Sequence, residues 1–143
     1  MESERLANQL QAINTEIETR LKPDLDVVCG LRDRVFEEIM EILQLKQNIE
    51  TIRDNQDKNV ELQVDMGENI YVQAEVPDCS RIYVNFGLGV WVDLEPSEAL
   101  KFIEMRHRAL EERSERYTGR ISEIQAHLVP LLHGARELES LLA

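Results

Sequence analysis

Aromatic residues are scarce: one Trp, three Tyr and three Phe in 143 residues. A thick core built on large rings is therefore excluded, and long solvated helices suit the composition better. Basic residues are also in the minority, 16 against 28 acidic, which leaves a net charge of −12. A chain of that sign gains nothing from phosphate backbones or anionic headgroups. Direct binding to nucleic acid and docking on membranes are both set aside. No apolar run approaches the roughly 20 residues of a transmembrane helix. The charged start, Met1-Glu-Ser-Glu-Arg-Leu6, lacks the apolar centre of a signal peptide.

Cysteine is nearly absent too. Cys29 and Cys79 belong to no CxxC or Cys/His cluster, so free thiols are expected in the cytoplasm, the nucleus or both. His127 and His133 are six apart and do not share a helix face, so no metal site is expected. Gly87-Leu88-Gly89 is not followed directly by a helix N-terminus, so it reads as a turn and not as a phosphate loop. No nucleophile, base and orienting group come together in the sequence pattern. Neither a cofactor nor an enzymatic activity is expected.

What is present is a change of period. From Leu10 an apolar ladder runs Ile13, Ile17, Leu21, Leu25, Val28, Leu31, Val35, Ile39, Ile42, Leu45, Ile49, Ile52, every step three or four residues. The twelve steps average 3.5 residues, the period of a supercoiled helix with a partner. At about 1.5 Å per residue the ladder spans roughly 60 Å. Pro23 is expected to bend this helix or restart it, and Gly30 weakens it. The ladder keeps step across both, which favours a bent continuous rod. The polar run Asp54-Asn55-Gln56-Asp57-Lys58-Asn59 should end it.

Between Val60 and Leu94 the period drops to two. Fifteen even-numbered positions are apolar, among them Val60, Leu62, Val64, Ile70, Val72, Ile82, Val84, Phe86, Val90 and Val92. Alternation of this kind marks strands that bury one face. Four strands are expected, at about 60–66, 69–76, 80–86 and 88–94. Gly67-Glu68-Asn69 and Gly87-Leu88-Gly89 supply the turns, and Pro77-Asp78-Cys79-Ser80 separates the pairs. The result is two β-hairpins in tandem. Their even face is too large to leave in water. The helices have seams of their own to cover, so sheet from other subunits is the economical partner. Closure into a shared barrel would also remove unpaired edges. On the odd face, Tyr71, Tyr83 and Trp91 either rim an interface or pack on the helix roots.

The period then returns to 3.5. Glu95-Pro96-Ser97-Glu98 is a helix start signal. The ladder Leu100, Ile103, His107, Leu110, Ser114, Tyr117, Ile121, Ile124, Leu128, Leu131, Ala135, Leu138, Leu142 alternates steps of three and four without a fault. His107 and Ser114 interrupt the seam. They read as polar residues that set register, with a pH switch at His107 as the other reading. Pro130 should kink the helix near Ala126, and Gly134 should loosen the end further.

Together these patterns predict one α+β domain over residues 1–143. A helix at about 4–56 and a helix at about 96–142 form a long antiparallel α-helical coiled coil. Two β-hairpins at about 60–94 lie between them, their strands contributing to an intersubunit β-barrel.

This order of helix, two hairpins and helix resembles the α class of prefoldin subunits. Val64-Asp-Met-Gly-Glu-Asn-Ile-Tyr-Val72, Val76-Pro-Asp-Cys-Ser-Arg-Ile-Tyr-Val84, Gly87-Leu-Gly-Val-Trp-Val-Asp-Leu94 and Glu98-Ala-Leu-Lys-Phe102 are similar to a prefoldin-like branch of that class. Leu31-Arg-Asp-Arg-Val35 and Leu43-Gln-Leu-Lys46 carry the likeness into the first helix. The resemblance implies a hexamer with β-class subunits and another α-class subunit such as URI. It implies ATP-independent capture of unfolded or assembling proteins by coiled-coil tentacles; the alternatives are a scaffold that acts on transcription regulators through protein–protein contacts, or a conventional prefoldin α subunit. Pro23 and Pro130 depart from the pattern expected of the family. The residues expected to touch clients are Leu6, Leu10 and Ile13 at one end, with Leu138, Leu141 and Leu142 at the other. Closing the end of the coiled coil is their alternative role.

Overall fold

The computed structural model describes residues 1–56 and 58–142. Asp57, part of the polar run expected to end the first helix, lies outside the described residues, as does Ala143. The elements are α1 (Glu2–Glu16), a π-turn (Ile17–Leu21), α2 (Lys22–Asp54), β1 (Val60–Asp65), β2 (Tyr71–Val76), β3 (Ile82–Asn85), β4 (Trp91–Leu94) and α3 (Pro96–Leu142). Two hairpins therefore lie between two helical arms.

The chain divides into two compact units, Met1–Glu38 with Leu110–Ala143, and Ile39–Ala109. In the first unit Ile17 and Leu21 pack on Ile124 and Leu128, with Ile13, Leu25, Val28, Leu131 and Leu132 around them. Each of the four central side chains contributes about 1.5–3 kcal/mol by leaving water. In the second unit Ile42, Ile49, Cys79, Val84, Ala99 and Ile103 are buried.

Pro23 does not start a separate helix. The helical path continues, but Ile17–Leu21 is wound as a π-turn, and the Lys22 N–H donates to the Ile17 carbonyl. That turn places Pro23 at the second residue of α2, where a missing N–H costs little. The π-turn also solves a problem of phase. Ile13, Ile17, Leu21 and Leu25 are separated by three consecutive steps of four. In an unbroken α-helix each such step carries the apolar stripe about 40° round. One extra residue in the turn absorbs the drift and keeps all four on one side.

Downstream of the turn the seam is a strict heptad. Leu21, Val28, Val35, Ile42 and Ile49 follow at intervals of seven. Leu31 and Leu45, expected on the seam, are exposed. Arg32 and Lys46 hold those steps instead, both half-buried. Long stems can line an apolar groove while the charge reaches outward.

The α3 seam is as expected. Ile103, Leu110, Ser114, Ile121, Ile124, Leu128 and Ala135 are buried in series. Pro130 lies inside α3 and does not end it. At its start, the Glu95 N–H donates to the Glu98 carboxylate at 3.2 Å, half of a capping box.

The hairpins are near copies of each other. β1 pairs antiparallel with β2, and Val64 faces Val72; β3 pairs antiparallel with β4, and Val84 faces Val92. Every pair of the second register lies twenty residues beyond a pair of the first. The turns match as well. Gly67, Glu68 and Asn69 have φ of 95°, 51° and 62°, and Gly87, Leu88 and Gly89 have 94°, 53° and 75°. Three successive left-handed residues explain why glycine opens both turns. The Asp65 carboxylate and the Asn85 side-chain oxygen accept from the N–H of Gly67 and Gly87, each at 2.8 Å.

Candidate functional site: the two hairpins

The strands, shorter than expected by one to three residues at the turns, present two contrasting sheets. On the even face of the first hairpin Leu62, Val64, Met66, Ile70 and Val72 are exposed, Ile70 at 58%. Val60 is half-buried. On the second hairpin Val84 is only 7% exposed, whereas Val90 is 53% exposed. Ile82, Phe86 and Val92 are half-buried. Part of this cover comes from within the chain. The rings of Phe86 and Phe102, the latter on α3, lie with centroids 4.0 Å apart at 47°. The root of α3 thus covers some of the face, and the rest stays open.

The odd face is open too. Tyr71, Tyr83 and Trp91 are exposed and so do not pack on the helix roots. Sheet residues with both faces in water are unusual in a stable two-stranded hairpin, which is marginal alone. Polar contacts fix the path between hairpins. The Arg81 guanidinium holds the Asp93 carboxylate at 2.8 Å and the Asp93 carbonyl at 3.2 Å. That bond raises the Arg81 pKa. The Ser80 N–H donates to the Asp78 carboxylate at 2.9 Å, and this bond, with a second from the Ser80 side chain, lowers the Asp78 pKa.

The six leucine and isoleucine side chains at the helix ends are divided. Ile13 packs against the Ile17–Leu128 cluster. Leu10 and Leu142 line one open depression of about 510 Å³ together with Ala7 and Thr15. Leu6 and Leu138 are half-buried, and Leu141 is exposed. Among the described residues no group of three or more His, Cys, Asp or Glu could hold a metal ion, and no helix is long and apolar enough to cross a membrane.

Sequence patterning did not reveal Arg32. Its Nε is buried without a hydrogen-bond partner, and its guanidinium lies 5.6 Å from the centre of the Phe36 ring. The faint signal was the seam itself, which alternates three and four only if Arg32 replaces Leu31.

Paired heptad helices that carry two hairpins between them define a prefoldin subunit, and residues 30–138 match the prefoldin family model. The chain belongs to the prefoldin family, and its two hairpins are those of the α class. More particularly, it is 41% identical over 127 residues to Protein UXT of Homo sapiens, covering 89% of this chain and 81% of that protein. It is also similar to Protein UXT homolog of Dictyostelium discoideum, 33% identical over 138 residues, which cover 96% of this chain and 85% of that one. Prefoldin subunit alpha of Archaeoglobus fulgidus is 28% identical over 99 residues, 66% of this chain and 71% of that protein. The fold matches the cryo-EM structure of filamentous PFD from Methanocaldococcus jannaschii with a TM-score of 0.68 at 19% identity. That match covers 83% of this chain and 98% of the other.

Proposed function

We propose that this chain is the α-type subunit of a prefoldin-like heterohexamer that holds unfolded or assembling proteins without ATP. One observation carries the reading. The hairpins expose apolar side chains of their even faces, Leu62, Val64, Ile70 and Val72 on one and Val90 on the other, that a lone chain would not keep in water. Strands of β-class subunits and of a second α-class subunit such as URI would cover it and close the barrel. The helix ends, with the open depression at Leu10 and Leu142, would meet the client. The subunit acts by binding and has no catalytic step. Its place of action is the cytoplasm and the nucleus.

A second reading is a scaffold for transcription regulators. Exposure of Tyr71, Tyr83 and Trp91 on the face opposite the assembly surface favours it, since exposed aromatic side chains suit partner binding. The two readings separate in native mass spectrometry of the tagged chain purified from its own cells. A heterohexamer with β-class subunits and a different α subunit supports the first. A monomer or homodimer bound to a transcription regulator refutes it in favour of the second.

A further inference from the structure

We propose that the odd face of the first hairpin docks an extended, basic segment of a partner protein, one with two arginine or lysine side chains four residues apart. This face is the reverse of the one that assembly would cover. The inference takes only the exposure of Tyr71 from the scaffold reading, and it holds whether or not the even face is covered. Glu61, Gln63 and Asp65 on β1 and Tyr71, Gln73 and Glu75 on β2 make up the surface, and all are exposed. The register sets them in three rows: Glu61 faces Glu75, Gln63 faces Gln73, and Asp65 faces Tyr71. Two carboxylates directly opposed across a ladder destabilise it. Among the described residues the Glu61 carboxylate accepts one hydrogen bond, from Gln73 Nε2 at 3.4 Å, and neither glutamate meets a cation.

The second hairpin shows what such a face does with a cation of its own. Twenty residues on, Arg81 stands at the place of Glu61 and Asp93 at the place of Gln73. Arg81 donates to the Asp93 carboxylate at 2.8 Å and to the Asp93 carbonyl at 3.2 Å, so the charge is closed within the sheet. The first hairpin has no basic residue from Val60 to Val76, so a cation for this face comes from another molecule. Tyr71 supplies a second contact. Its ring is 57% exposed opposite Asp65, whose Oδ1 accepts from the Gly67 N–H at 2.8 Å while Oδ2 stays open. A cation over that ring gains from the π face and from the carboxylate together. The two acidic rows are four residues apart along β1, about 13 Å. An extended segment spaces two side chains of one side at that distance, whereas on a helix residues four apart are only about 6 Å apart. The glutamine row between them offers amide donors and acceptors to the intervening residue. The chain's excess of acidic residues, 28 against 16 basic, draws a basic partner and repels an acidic one.

The test titrates a labelled threonine peptide, with two arginines four residues apart, against the full-length chain purified from its own cells, by fluorescence anisotropy at low ionic strength. Glu61→Gln combined with Glu75→Gln should weaken binding roughly tenfold or more. Tyr71→Leu should weaken it about threefold. Glu68→Gln, which removes a charge at the hairpin turn, should bind as wild type. A peptide with its two arginines adjacent reaches one row only and should bind about tenfold more weakly. The double glutamine variant should melt no lower than wild type, since it relieves an opposed pair, and native mass spectrometry should show it assembled as wild type. Unchanged peptide binding by the double variant, equal weakening by Glu68→Gln, equal binding of the two peptides, or a lower melting point of the double variant would each overturn the proposal. Loss of assembly in the double variant would overturn it as well, by making the odd face part of a subunit contact.

Discussion

Val84 and Val90 lie on the same face of the same hairpin, yet aspartate should act differently at each. Val84 is 7% exposed and Val90 is 53% exposed within the chain. Valine at position 84 contributes about 1.5–3 kcal/mol by burial, and a carboxylate in its place adds a desolvation penalty. Val84→Asp should therefore cost the free chain about 3–5 kcal/mol, the range for an uncompensated buried charge. At position 90 the change touches water, and the loss is the strand preference alone, about 1 kcal/mol or less. Urea denaturation of each purified chain, followed by circular dichroism, measures both. Val84→Asp should move the midpoint far down, and Val90→Asp should barely move it. In the assembly the order changes, because Val90→Asp then places its carboxylate inside the proposed interface. Equal destabilisation of the free chain by the two variants would refute the reasoning, because it would mean that the face is not divided into covered and open parts.

Deleting Thr19 should remove the extra residue of the π-turn and turn the steps from Ile13 to Val28 into four, three, four, three. Pro23 would then fall inside a regular α-helix at a cost of about 3 kcal/mol, and Pro23→Ala should restore the urea midpoint. Failure of that rescue would show that the π-turn does not serve phase. Replacing Leu138, Leu141 and Leu142 with serine should lower suppression of aggregation of an unfolded test protein while assembly persists. Unchanged suppression would assign these residues to closing the helix ends.

The two periods, 3.5 and two, were enough to place every helix and hairpin, because each element buries a face at its own repeat. The α3 ladder was legible residue by residue, since steps of three and four alternate without interruption. In α2 the ladder misplaced Leu31 and Leu45. An apolar residue was preferred to its neighbour at each step, whereas Arg32 and Lys46 occupy the seam through their stems. The π-turn was visible only as three successive steps of four, a pattern that an average of 3.5 conceals. At the hairpins, alternation marks a face but not what covers it. Val84 is buried and Val90 is open, a difference that alternation does not carry, and Phe102 of α3 meets Phe86 of the same face.

The π-turn has a further consequence for how such a helix can change. A coiled coil normally takes insertions of three, four or seven residues, because a single one turns the wrong side chains toward the partner. Here the widened turn at Ile17–Leu21 has taken in one residue, and Ile13 still faces the same way as Leu25. The turn confines the disturbance to five residues, so the heptad from Leu21 to Ile49 runs on as if nothing had been added.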